Sequence, residues 1–171
     1  MKNIRLTIVQ MNSVAGNIEK NLRKMSRYII QSDADMICFP EMCLSGYTTD
    51  HPEDIALDPK DQCVREIHDI SKQTGKTIVF GYIEMDGDLL HLRQEIACKG
   101  IVHYYRKSHL GQNERNHFSP GNELPVFDID GVKVSLQLCT ESHIPDITSV
   151  YRSKGAELIL MPFANGIAGD R

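Results

Sequence analysis

The order of hydrophobic patterns along the chain predicts an α/β protein, a layered sandwich of helices on a partly antiparallel sheet. Three observations predict it. Apolar strand patterns alternate with helical spacings over the first 75 residues. A meander with Asp86-Gly87 and Lys99-Gly100 at its turns fills the middle. A strand–turn–helix–strand unit spans Val132–Pro162.

Each element has a local reason. Ile4, Leu6 and Ile8 alternate, so Ile4–Met11 reads as a strand. Gly16-Asn17 turns, and Asn17 can cap a helix whose apolar stripe is Ile18, Leu22, Met25 and Ile29. Asp33 and Asp35 break that pattern, and Met36–Phe39 reads as a short strand closed by Pro40-Glu41. Residues 43–60, with Gly46, Pro52 and Pro59, read as a surface loop. Asp58 or Asp61 can start the next helix, Val64, Ile67 and Ile70 form its stripe, and Gly75 ends it. Three strands follow at Lys76–Met85, Leu89–Ala97 and Ile101–Arg106. Residues 108–125 read as a long loop, a kind of segment that is more often functional than idle. Asp130-Gly131 is a hairpin signal, after which Val132, Val134, Leu136 and Leu138 alternate with Lys133, Ser135 and Gln137. Pro145 suits the first turn of a helix, Gly155 its end, and Leu158–Met161 is a last apolar strand.

Composition narrows the function. The chain has 171 residues, enough for one domain, with 41% hydrophobic and 25% charged residues. A net charge of −4 gives no case for nucleic acid or an anionic membrane as partner. No apolar run approaches the roughly 18 residues of a spanning helix. Arg5 and Gln10 interrupt the apolar start, so it reads as a strand and not as a signal peptide. Five cysteines without a C-x-x-C pair point to a reduced, cytoplasmic setting.

Three polar residues stand directly after apolar strands: Glu41, Lys107 and Cys139. Each has a bland alternative, a solvated strand end for the first two and a small buried hydrophobe for the cysteine. Together they form a kit for acyl transfer from a C–N bond. A thiolate attacks, a carboxylate takes and returns the proton, and an ammonium stabilises the oxyanion. A metal reading is weaker. Cys139 and His143 are four apart, and His103, His109 and His117 lie near Lys107, but no compact zinc spacing occurs. No Walker A loop or dinucleotide fingerprint is present, so no cofactor is expected.

In order along the chain come I-R-L-T-I-V-Q-M, C-F-P-E-M-C-L-S-G-Y, Y-Y-R-K-S-H-L-G, E-R-N-H-F-S-P-G, L-C-T-E-S-H-I-P-D and G-A-E-L-I-L-M-P. In this order the segments resemble the nitrilase superfamily of carbon–nitrogen hydrolases. The resemblance implies a four-layer αββα sandwich and hydrolysis of an amide-type or carbamoyl-type bond. It implies Glu41 as general base, Lys107 as stabiliser of the tetrahedral intermediate, Cys139 as nucleophile and Glu114 as a second, substrate-positioning glutamate. The backbone N–H of Thr140 would serve the oxyanion, and protomers would pair as a homodimer. The sequence departs from the pattern at Ile144, Asp146 and Ser149. The family domain continues beyond the point where this sequence stops, so a C-terminally incomplete sandwich is expected. The alternative is a non-catalytic remnant that acts only in an oligomer or with a missing segment.

Specificity is expected from Tyr47, the loop from Glu114 to Phe118, the segment Glu141–Ile144 and the segment Phe163–Asn165. Arg115 or His143 could pair with a substrate carboxylate, which makes a small, neutral or singly anionic amide the expected partner.

Overall fold

The computed structural model describes residues 3–164. Among these, five strands form one sheet in the order β1-β2-β3-β4-β5: β1 Leu6–Ile8, β2 Met36–Cys38, β3 Thr77–Asp86, β4 Leu89–Cys98 and β5 Ile101–Arg106. The first three run parallel, and the rest form an antiparallel meander. A second sheet joins β6 Phe127–Ile129, β7 Val132–Leu136 and β8 Leu158–Leu160, with β6 antiparallel and β8 parallel to β7. Helices α1 Ile18–Gln31 and α2 Gln62–Thr74 cover the first sheet, and α3 Pro145–Ser153 covers the second.

Alternation along the strands sorts side chains into layers. Ile37, Ile78 and Phe80 point toward the helices and pack with Leu22, Met25, Ile29, Val64 and Ile67. Met36, Cys38, Val79 and Ile96 point the other way, onto Val134, Leu136 and Leu160 of the second sheet. The result is the αββα order.

Local chemistry explains the boundaries. The Asn17 side chain accepts the Lys20 N–H at 3.2 Å and caps α1. Gly75, at φ 70°, ends α2. Two hairpins turn at Lys99-Gly100 and Asp130-Gly131, where both residues have positive φ, as a type I′ turn requires. The first meander turn uses Gly87 and Asp88, one residue later than the Asp86-Gly87 signal, because Asp86 pairs with Leu89.

Several expectations need correction. The edge strand β1 is shorter than Ile4–Met11, and Ile8 is exposed because nothing in the described residues covers that end. Residues 43–60 are not all surface: Cys43, Leu44 and Ser45 are fully buried, and Pro52–Ile55 forms a 3-10 turn. Ser135 and Gln137, on the polar positions of β7 and its extension, are fully buried. A strand with layers on both faces has no wet side.

Buried Asn21 ties α1 to the segment that carries Glu41. Its amide donates to the carbonyls of Val14 (2.8 Å) and Leu44 (2.9 Å), and its carbonyl accepts the Val14 N–H at 2.9 Å. Gly46 closes the same junction, since a Cβ there would lie 2.4 Å from the Ala15 backbone. Asn21→Ala leaves the buried Leu44 carbonyl and the Val14 N–H without their partner, while the Val14 carbonyl keeps the Asn17 N–H, so urea denaturation is expected to show a loss of about 1–2 kcal/mol. An unchanged midpoint would contradict this account of the junction.

Candidate active site

Glu41, Lys107 and Cys139 all follow strands, and the layering brings those strand ends to one side of the sandwich. Glu41 lies in the turn after β2, where the Phe39 N–H bonds the Val79 carbonyl and the Leu44 N–H bonds that of Gly81. Its neighbour Met42 has φ 53° and packs on Ile83, Leu92, Leu110 and Phe118. Lys107 follows β5, fixed by its N–H on Leu92 and by its own carbonyl, which accepts from Gly121. The preceding Arg106 grips Glu84 at 2.7 and 2.8 Å and Asp86 at 2.7 Å, which anchors the end of β5.

The Lys107 ammonium is fully buried between two carboxylates. It donates to Glu41 Oε1 at 3.0 Å and to Glu114 Oε1 at 2.9 Å. Glu114 Oε2 accepts the Gly111 N–H at 2.6 Å, which fixes the loop around it. Burial raises the Glu41 carboxyl from its ordinary 4.5 to about 7, with Lys107 opposing and Glu114 adding to the rise. For Lys107, burial acts against the charge, but Glu41 and Glu114 outweigh it and hold the ammonium above its ordinary value.

Cys139 follows β7 at φ 41°, a left-handed conformation that costs a non-glycine residue strain. Its N–H bonds the Pro162 carbonyl at 2.9 Å. The half-buried thiol is raised by burial and by the charge of Glu41, while Lys107 and the Ala164 backbone N–H act in the other direction. Cys139 thus shares one electrostatic environment with Glu41, Lys107 and Glu114. Tyr47 shares it too: burial, then Glu114 and Glu41, push its hydroxyl up to about 12.

A cleft of about 500 Å³ lies beside this group, lined by Gly111, Arg115, Phe118, Thr140 and Ile144, with Ser108 and His109 on its wall. The Thr140 hydroxyl is buried there with no hydrogen-bond partner among the described residues. His143 is exposed and does not line the cleft, and Phe163 is also exposed. Asn165 lies outside the described residues. Glu141 is not at the mouth: it is fully buried and bonded to the scaffold. Among the described residues no group of three or more His, Cys, Asp or Glu side chains could hold a metal ion.

The sequence pattern of the family described as "Carbon-nitrogen hydrolase" matches residues 5–169. The chain belongs to this family. A nitrilase of Pyrococcus abyssi is 29% identical over 168 residues, covering 93% of this chain and 64% of that protein. An (R)-stereoselective amidase of a Pseudomonas species is 26% identical, covering 95% of this chain and 61% of that protein. The chain thus spans a little under two thirds of these relatives. Among solved structures, an amidase of Nesterenkonia from the nitrilase superfamily superposes with a TM-score of 0.85 at 22% identity, covering 98% of this chain and 67% of that one. A CN-hydrolase superfamily protein of Xanthomonas campestris gives 0.87 at 20%, covering 99% and 68%. These likenesses show the nitrilase-type α/β fold.

The two carboxylates predict a measurable coupling. Glu41 titrates higher folded than unfolded. Its contribution to stability is therefore complete below its unfolded pKa near 4.5 and is lost as pH rises through about 7. Removing the Glu114 charge by Glu114→Gln is expected to lower the Glu41 midpoint by on the order of one pH unit. Carbon-13 NMR of the labelled glutamate carboxyls reads this directly. A midpoint that stays put or rises would show that Glu114 does not act on Glu41 as its distance from Lys107 implies.

Proposed function

We propose that the chain hydrolyses the C–N bond of a small amide through a thioester on Cys139. The observation that carries this is the buried Lys107 ammonium held between Glu41 and Glu114 in the electrostatic field of a strained, half-exposed cysteine. The raised thiol is protonated at neutral pH, so a base must remove its proton as sulfur attacks. Glu41, near 7, has the matching basicity. Lys107 keeps its positive charge and stabilises the oxygen of the tetrahedral intermediate, together with the Thr140 backbone N–H. Collapse of the intermediate breaks the C–N bond, and Glu41 returns the proton to the departing amine. Water then adds to the thioester with Glu41 again as base, releasing the acid and the thiol. Glu114 holds Lys107 in place and faces the substrate side.

The substrate reading is a small, neutral or singly anionic amide. Arg115 and the unpartnered Thr140 hydroxyl line the cleft and supply polar anchors, while Phe118 and Ile144 supply apolar wall. His143 drops out as the carboxylate partner because it is exposed and off the cleft. Tyr47, whose hydroxyl feels Glu114 and Glu41, is proposed to contact the substrate from outside that lining. The (R)-stereoselective amidase among the relatives supports the amide, and the nitrilase among them makes a nitrile the alternative substrate. With this reading go a homodimer and a cytoplasmic setting, the latter in keeping with five cysteines that form no disulfide among the described residues. No described helix is long and apolar enough to cross a membrane.

Mass spectrometry of the protein incubated with a panel of small amides is expected to show an acyl adduct on the peptide that contains Cys139. Full turnover by Cys139→Ala would overturn the reading. The rate of adduct formation is expected to rise with pH through about 7, as Glu41 loses its proton. Glu41→Gln is expected to remove that rise and to cost about 10²–10⁴ in rate. A pH profile unchanged by that substitution would assign the base to another group.

A further inference from the structure

The segments that carry Lys107 and Cys139 follow strands of different sheets, β5 and β7, yet one buried carboxylate holds both. Glu141 Oε1 accepts from the Tyr105 hydroxyl at 2.6 Å, the Ser108 N–H at 3.0 Å, the Ser108 hydroxyl at 2.9 Å and the His109 N–H at 3.0 Å. Its Oε2 accepts the Leu138 N–H at 2.8 Å. Ser108 and His109 directly follow Lys107, and Leu138 directly precedes Cys139. The Glu141 backbone is fixed as well. Its N–H bonds the Leu138 carbonyl at 2.9 Å, and its carbonyl accepts the Gln137 amide, whose own oxygen accepts the Thr148 hydroxyl of α3 at 3.0 Å.

We propose that Glu141 is a positioning residue that sets the spacing between the Lys107 ammonium and the Cys139 thiol. This rests on the reading of Cys139 as nucleophile and Lys107 as its electrostatic partner. Glu141 is not itself a proton acceptor for the thiol, because the donors that approach both of its oxygens come from the scaffold. Every one of those partners is a donor, which is why an acceptor-only side chain fits and an amide does not. A glutamine would set N–H against N–H at one end or the other. The strained backbone at Cys139 needs such a clamp, since a left-handed cysteine persists only where its surroundings over-determine it. Ser108 and His109 also line the cleft, so the same carboxylate fixes one wall of the substrate site.

The test reads Cys139 without needing a substrate. The rate of its alkylation by iodoacetamide at neutral pH is followed by peptide mass spectrometry on the full chain. Wild type is compared with Glu141→Gln, Lys107→Met and the double variant, each checked for folding by circular dichroism. Lys107→Met is expected to slow alkylation about tenfold, the equivalent of one pKa unit on the thiol. Glu141→Gln is expected to slow it by a similar factor, and the double variant no further than Lys107→Met alone, because Glu141 acts through Lys107. Effects that multiply, or a wild-type rate in Glu141→Gln beside a slowed Lys107→Met, would overturn the proposal. An unchanged rate in Lys107→Met would instead bring down the electrostatic reading beneath it, and the proposal with it. Should Glu141→Gln not fold, Tyr105→Phe with Ser108→Ala removes two donors from Oε1 and keeps the carboxylate. That variant is expected to slow alkylation about threefold, on the scale of one hydrogen bond's net worth, and a wild-type rate there would equally overturn the proposal.

Discussion

One buried ammonium shared by two buried carboxylates is the constraint around which this protein is built. Lys107 is fully buried, and Glu41 and Glu114 are nearly so. An isolated charge in such a place costs several kcal/mol, so none of the three can be understood alone. Burial raises the Glu41 carboxyl, and because one cation cannot neutralise two anions, Glu114 adds to the rise that Lys107 opposes. A carboxyl that gains and loses a proton near neutrality follows from burial and the charge count of the group together. It needs no special device beyond burial and a second glutamate within reach of the same lysine.

The scaffold serves that group by bringing strand ends together. The parallel strands β1, β2 and β3 leave their C-terminal turns on one side, where Glu41 sits. The antiparallel meander returns β5 to the same side, where Lys107 follows. The second sheet delivers Cys139 from β7 with β8 beside it, and the Cys139 N–H onto Pro162 extends that pairing past the strand ends. A separate network grips the outer face of the first sheet. Arg93 bonds Glu84 at 2.8 Å and Glu95 at 2.7 Å, and Arg106 bonds Glu84 from β5. It shares no residue with the site, but it fixes the register of the strand that presents Lys107.

The sequence carried the elements better than their ends. The Asn17 cap, the Gly75 stop and the I′ turns were legible because each is local chemistry of one or two residues. Strand ends were over-extended at Ile4–Met11 because alternation continues in the sequence after a neighbouring strand has ceased to pair. The burial of Ser135 and Gln137 was not legible, because periodicity shows that a strand has two faces, not whether a helix covers the second. The order of the strand-end residues was legible, but the convergence of Lys107 with Glu41, 66 positions apart, is a property of the sheet order. Glu141 had a faint signal in its spacing of three from Leu138, as in a capping box. A leucine in the cap position hid it, since the backbone N–H and not a side chain is the partner.

The same physics separates the cysteines. Cys38 and Cys43 lie close to Glu41 in sequence, but both are buried, and burial pushes their thiols up to about 12. They serve as small apolar side chains that pack between layers. Cys63 is also raised, by burial and by Asp61. Cys139 differs in one respect: Cys63 is also only partly buried and backbone groups favour the anions of Cys43 and Cys63 as well, but only Cys139 feels the Lys107 charge. Its thiol still sits above the ordinary value, because burial and then Glu41 act against the anion. That opposition suits a thiol that gives up its proton only when an electrophile is present and the neighbouring carboxylate can take it. On the proposed reading, a thiol kept in this form is protected from stray oxidation and alkylation until Glu41 takes its proton.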